Sequence, residues 1–298
     1  MCPFAKCYIS GKGPFPIFEI LVEPNARRKV VVFADAPLLT HVVLWDIPAW
    51  KFDWSSLTIV SFQDAKNYKQ ILTTLQKTIN LVELTVNDKV FDINGGTLNH
   101  LPHLESLSVC GAKLLIVLEV PALRRLKIDF RAEDREPSIS GLSEVGITVS
   151  FLCRPEIKLD VLVVENALAA AIKEILPFTP NINNFSLLRV PDVANVFNWL
   201  AGTGEQELKF RCLNVEWGSS KDSMHVVESL VALHDMIASR SPPGDTMRSQ
   251  SPKEVTIQRL GEGHSVAANL KLLCREKGIL FKFAEGMSTL TDINFIEL

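Results

Sequence analysis

The sequence predicts an α/β solenoid, with a curved parallel sheet on its concave face and helices and loops on its convex face. Three observations predict it: a short apolar phrase that recurs along the chain, proline placed ahead of that phrase, and a hydrophobic period that changes from two to about 3.6 between its occurrences. The clearest pair is LPHLESLSV at 101–109 and VPALRRLKI at 120–128. Both phrases carry an aliphatic residue, two variable residues, an aliphatic, one variable residue and a third aliphatic.

Used as a probe, that template finds Leu39, Val42 and Leu44; Leu57, Val60 and Phe62; Leu81, Leu84 and Val86; Leu104, Leu107 and Val109; and Leu123, Leu126 and Ile128. It continues through Leu159, Leu162 and Val164; Ile182, Phe185 and Leu187; Phe210, Leu213 and Val215; and Pro252, Val255 and Ile257. The leading residues are 18, 24, 23, 19, 36, 23, 28 and 42 apart. Most of these gaps lie in or just short of the range of leucine-rich repeats. Pro37, Pro102, Pro121 and Pro180 each stand two residues ahead of a leading aliphatic. Proline fixes its own φ and disfavours helix in the residue before it, so the phrase reads as a strand start.

Helices are expected between the strands. Tyr68, Ile71, Leu72, Leu75 and Ile79 share one helical face, as do Leu168, Ile172, Ile175 and Leu176. Another begins at Pro191 and Asp192, with Asp192 as its cap, and carries Val193, Val196, Phe197 and Leu200. Residues 222–238 and 265–276 supply two more, with Gly278 suited to end the last. Units this small cannot each bury a core, so they must stack. The expected organisation is an N-terminal cap or remnant at 1–34, a leucine-rich-repeat solenoid at 35–284, and a C-terminal tail at 285–298. The polar stretch SRSPPGDTMRSQSP at 239–252 is expected as a mobile loop.

Composition narrows the function. With 47% hydrophobic and 22% charged residues, the chain reads as a folded protein, and its net charge of −3 supplies no basic field for nucleic acid or acidic lipid. No signal peptide or spanning segment is seen, so an intracellular location, cytoplasmic or nuclear, and no membrane partner are expected. Six cysteines form no zinc pattern and read as reduced, mostly buried thiols. There is no phosphate loop, since SGKGPF lacks the spacing, and no HExxH or GxSxG. His100 and His103 lack a third ligand. No catalytic residue, metal or cofactor is therefore expected, and the chain is not read as an enzyme.

A binding role remains. Once the template aliphatics point into the core, the residues between them must face the other way. The partner-binding candidates on that face are His41, Trp45, Gln63, Glu83, Thr85, Ser106, Ser108, Arg125, Lys127, Glu165, Asn184 and Asn214. Arg125 and Lys127 form a basic spot beside Arg124. Trp45, Trp50 and Trp54 cluster in LWDIPAWKFDW, where aromatic anchors suit either binding or packing. The expected partner is a protein, bound by a monomer.

The run DAPLLTHVVL, WSSLTIVSF, NLVELTV, LPHLESLSV and VPALRRLKI resembles the leucine-rich-repeat region of the expanded F-box proteins of mushroom-forming fungi, best over about residues 35–217. The resemblance implies a substrate-recognition subunit of a cullin-type ubiquitin ligase. In that family a helical N-terminal F-box binds a Skp-type adaptor. Residues 1–34 carry no Leu-Pro-x-Glu phrase in a helical run, so the adaptor is expected only where an F-box lies upstream. The alternative is a stand-alone repeat scaffold or inhibitor without a link to ubiquitin.

Overall fold

The structure, a computed structural model, describes residues 6–10, 17–21, 40–44, 54–63, 68–87, 98–130, 143–202, 210–217, 223–240, 252–258 and 265–284. It is α/β, and the chain divides into two compact units, Met1–Leu159 and Asp160–Leu298.

In the first unit, β1 (Lys6–Ser10), β2 (Ile17–Leu21), β3 (His41–Leu44), β4 (Ile59–Phe62), α1 (Tyr68–Leu75), β5 (Glu83–Val86), β6 (Asn99–His100), β7 (Ser106–Cys110), β8 (Leu118–Glu119), β9 (Arg125–Asp129) and α2 (Glu144–Leu152) follow in order. The sheet runs β1-β2-β3-β4-β5-β7-β9, with β1 antiparallel to β2 and every later neighbour parallel. Strands β6 and β8 form a separate short parallel pair. The template residues stack in register into two core rows. One is Val42, Val60, Leu84, Leu107 and Leu126; the other is Leu44, Phe62, Val86, Val109 and Ile128. None of the ten is more than 2% exposed.

Each strand starts in the same way. The amides of Leu57, Leu81, Leu104 and Leu123 donate to the carbonyls of Trp54, Thr78, Leu101 and Val120, closing a turn three residues long at 3.1 to 3.4 Å. Pro102 and Pro121 occupy the second position of their turns, which their fixed φ suits. Proline here shapes the turn that delivers the leading leucine to the core, a more specific role than stopping a helix. The carbonyls of Thr40, Thr58, Val82 and Glu105 then each accept two consecutive amides from the next strand, all within 2.8 to 3.1 Å. Strand exit repeats as well: Gly111, at φ +75°, donates its amide to Asp129 of the neighbouring strand at 2.9 Å.

The outer layer is tied across repeats by charge. Helix α2 is capped by Ser143, whose hydroxyl accepts the amide of Gly146 at 3.0 Å. Its Glu144 carboxylate accepts the amide of Ala112 at 3.3 Å, just ahead of the 3-10 turn Lys113–Val117. Beyond the other end of α2, the Arg154 guanidinium donates to the carbonyls of Leu118, at 2.5 Å, and Leu115, at 3.1 Å, and lies 5.0 Å from the Phe151 ring. An anion thus sits at the amide end of the turn and a cation at its carbonyl end, as the backbone dipole favours.

The second unit alternates strictly: β10 (Val161–Glu165), α3 (Ala169–Ile175), β11 (Asn184–Leu188), α4 (Val193–Gly202), β12 (Cys212–Glu216), α5 (Ser223–Arg240), β13 (Glu254–Gln258), α6 (Ser265–Glu276) and β14 (Leu280–Ala284). Its five strands are parallel and paired in sequence order. The in-register rows are Leu162, Phe185, Leu213, Val255 and Phe281, and Val164, Leu187, Val215, Ile257 and Phe283, buried as far as β13, with the two phenylalanines of β14 half-buried. The same devices recur. Ile182 closes a turn on Thr179 with Pro180 between them, and Asp160, Asn183 and Arg211 each offer one carbonyl to two amides. Asn166 and Arg189 leave their strands at φ +55° and +53°.

Charge again joins neighbours. The Asp192 carboxylate accepts the amide of Ala169 at 2.9 Å, so it caps α3 of the preceding repeat, where the sequence suggested the helix that Asp192 itself precedes. Arg240, 6% exposed, donates from Nε to the Leu200 carbonyl in the last turn of α4 at 3.1 Å and lies 5.8 Å from the Phe210 ring.

Several expectations shift. Ile79 and Leu168, placed by periodicity on buried helix faces, lie beyond α1 and at the N-cap of α3 and are 55% and 61% exposed. Helix α2 and strand β14 match no template phrase. Helix α5 runs through Arg240, two residues into the stretch expected as a loop, while 241–251 and the tail 285–298 lie outside the described residues.

Candidate functional site

In the first unit the residues between the core aliphatics form two further in-register rows on the opposite face of the sheet. One is His41, Ile59, Glu83, Ser106 and Arg125; the other is Val43, Ser61, Thr85, Ser108 and Lys127. Neighbouring strands are about 4.8 Å apart, so each row crosses roughly 19 Å of surface. His41, Glu83, Thr85, Ser106, Ser108, Arg125 and Lys127 are all half-buried. Eight of the twelve candidates, His41, Gln63, Glu83, Thr85, Ser106, Ser108, Arg125 and Lys127, therefore share one face of one sheet.

Gln63 continues this face one residue past β4. Its amide nitrogen donates to the Ser61 hydroxyl at 2.6 Å, and its carbonyl accepts from the Asn87 amide at 2.8 Å. This chain of bonds orients the amides of Gln63 and Asn87 and leaves further donor and acceptor positions on both. The strand alternation read from the sequence puts Asn87 on this face too, at the position after β5 that Gln63 occupies after β4. Burial holds the His41 imidazole below its ordinary pKa. The neutral apolar end at His41, Val43 and Ile59 lies across the sheet from the cations Arg125 and Lys127.

The second unit places Asn184 and Asn214 on the corresponding face, half-buried, with the Asn214 amide donating to Ser186 at 3.1 Å. On the next two strands Lys282 pairs with Glu254 at 2.8 Å, and Thr256 donates to the same carboxylate at 3.4 Å. These three residues were not among the candidates. The phrase at 252–257 pointed to Glu254 and Thr256, and no phrase marked β14. Cys212, beside Glu254, has its thiol pKa pushed up, by burial first and then by that carboxylate, against the opposing pull of Arg211 and Lys282.

Glu165 does not join this surface. It is 1% exposed and ion-paired to Arg189, so a partner reaches it only after that pair opens. The alternation fails here because β10 and β11 are covered on both faces at their C-terminal ends, where Val163, Glu165, Ser186 and Leu188 are all buried. Trp45 and Trp50 lie outside the described residues; Trp54 is 7% exposed and packs in the 3-10 turn before β4. His100 pairs with Glu119 across β6 and β8 at 3.2 Å, and among the described residues no group of three or more His, Cys, Asp or Glu is placed to hold a metal. No described helix is long and apolar enough to cross a membrane.

No family model and no curated protein matches the chain.

Proposed function

We infer that the chain is a non-enzymatic protein-recognition module, a leucine-rich-repeat solenoid of the kind its sequence resembles in fungal F-box substrate receptors. The observation that carries this reading is the pair of in-register rows ending in Arg125 and Lys127, laid over core rows that are fully buried. A rigid sheet whose backing aliphatics are locked holds many weakly binding side chains at fixed spacing, which favours a folded protein surface over a small ligand. The Arg125 and Lys127 end suits carboxylates on the partner, and the Val43 and Ile59 end suits aliphatic side chains.

Affinity purification of the tagged chain from cells, compared with the Arg125→Glu, Lys127→Glu double variant, tests this reading. The variant is expected to lose the partner while keeping its thermal midpoint within a few degrees, because both side chains are half-exposed. A variant that keeps its partner overturns the reading. A Skp-type adaptor among the purified proteins supports the ligase role. Its absence from a chain carrying its full natural N-terminus leaves a stand-alone scaffold or inhibitor.

A further inference from the structure

The helix layer of the second unit carries a second surface. Helices α4 and α5 lie side by side, and between them runs an open groove of about 520 Å³. One wall presents Asn195 and Asn198 from α4. The other presents Glu228, Val231, Ala232 and Asp235 from α5, which at spacings of three, four and seven residues occupy a single helical face. Val231 is 45% exposed, whereas Leu230, Leu233, Met236 and Ile237 on the inward face of the same helix are 0% exposed. The Glu228 and Asp235 side chains are 60% and 65% exposed; each lies against a histidine, His225 at 3.6 Å and His234 at 3.1 Å, and the groove lining includes His225 but no lysine or arginine. The exposed Val231, with Ala232 buried beside it at 5% exposure, is thus bracketed along one helix by two carboxylates.

Seven residues of α-helix span about 10.5 Å, so the carboxylates repeat at two helical turns. We propose that this groove docks a cationic amphipathic helix of a partner protein, with lysine or arginine at positions seven apart and leucine or methionine between them. The cations meet Glu228 and Asp235, the aliphatics lie over Val231, and Asn195 and Asn198 supply hydrogen bonds along the far wall. This surface is separate from the sheet face, so the chain offers two recognition sites built on different elements.

Fluorescence anisotropy with a labelled synthetic 14-residue leucine–lysine helix of that pattern tests the proposal, alongside a scrambled peptide of the same composition. Binding to the patterned peptide is expected, and the Glu228→Lys, Asp235→Lys double variant is expected to weaken it by about tenfold or more. Val231→Asn, a milder change that serves if the double variant fails to fold, is expected to weaken it severalfold. Glu174→Lys, on the exposed side of α3 outside the groove, is expected to leave it unchanged. Absent binding, equal binding of the scrambled peptide, or an equal loss with Glu174→Lys overturns the proposal. The Arg125→Glu, Lys127→Glu variant is expected to bind the peptide normally, so failure at one surface is distinguishable from failure at the other.

Discussion

Replacing Arg154 with methionine tests whether charge staples hold neighbouring repeats together. The guanidinium donates to the carbonyls of Leu115 and Leu118, whose residues are both 0% exposed, so neither carbonyl has ready access to replacement water. A hydrogen bond to a charged group is worth about 1.5 to 3 kcal/mol, and a buried acceptor left unpaired forfeits a comparable desolvation energy. Methionine keeps much of the aliphatic stem and its packing on Phe151. Because Arg154 is itself half-buried, the low end of that range applies to each bond, giving a loss of about 3 kcal/mol for the two. Urea unfolding followed by circular dichroism and linear extrapolation measures it, as a lower midpoint at constant slope. Lysine at the same position cannot fork between two carbonyls and is expected to recover less than half of the loss. A loss below about 0.5 kcal/mol, the level of an ordinary surface substitution, would falsify the staple.

Gly111→Ala places a Cβ 2.6 Å from the Glu144 Oε1 at a left-handed φ, so it is expected to cost more than the roughly 1 kcal/mol of the backbone conformation alone; an unchanged thermal midpoint would contradict this. Asp192→Ala is expected to cost about 1 kcal/mol and to speed hydrogen exchange in the first turn of α3; faster exchange confined to α4 would show that the cap serves its own helix. Cys153 is exposed and is expected to react with a thiol reagent in the native protein, whereas Cys274, 0% exposed, reacts only on unfolding. Burial raises the Cys274 thiol from 9.0 to about 11. The fold therefore favours its protonated form: this stability is full below pH 9 and lost as pH rises toward 11, and Cys274→Ala should abolish that part of the alkaline dependence.

The core was legible because a strand's period of two shows directly in its letters. Every template aliphatic that falls among the described residues is buried, from Val42 to Ile257. The opposite face was legible wherever one side of the sheet stays open, as at Glu83, Thr85, Ser106 and Ser108. It failed at Glu165, where burial depends on Arg189, a residue outside the strand whose left-handed backbone no periodicity announces. Helix α2 was missed because GITVSFL is apolar around much of its circumference and rich in β-branched residues, so neither the helical period nor propensity marks it. Strand β14 was missed because Gly278 stands where the phrase requires an aliphatic. The staples made by Glu144, Asp192, Arg154 and Arg240 join residues 23 to 40 positions apart, pairings that only the stacked fold creates.

Site-specific photocrosslinking tests the central claim most directly. A photoreactive phenylalanine analogue is placed at Ser108, in the middle of the polar rows, and in a second protein at Ile116, 40% exposed on the 3-10 turn of the outer layer. Irradiation in cells is expected to join the Ser108 protein to a discrete partner that the Arg125→Glu, Lys127→Glu background no longer captures, with nothing captured at Ile116. A partner captured at Ile116 and not at Ser108 would contradict the account, because recognition would then lie on the outer layer of the first unit and not on the face of its sheet.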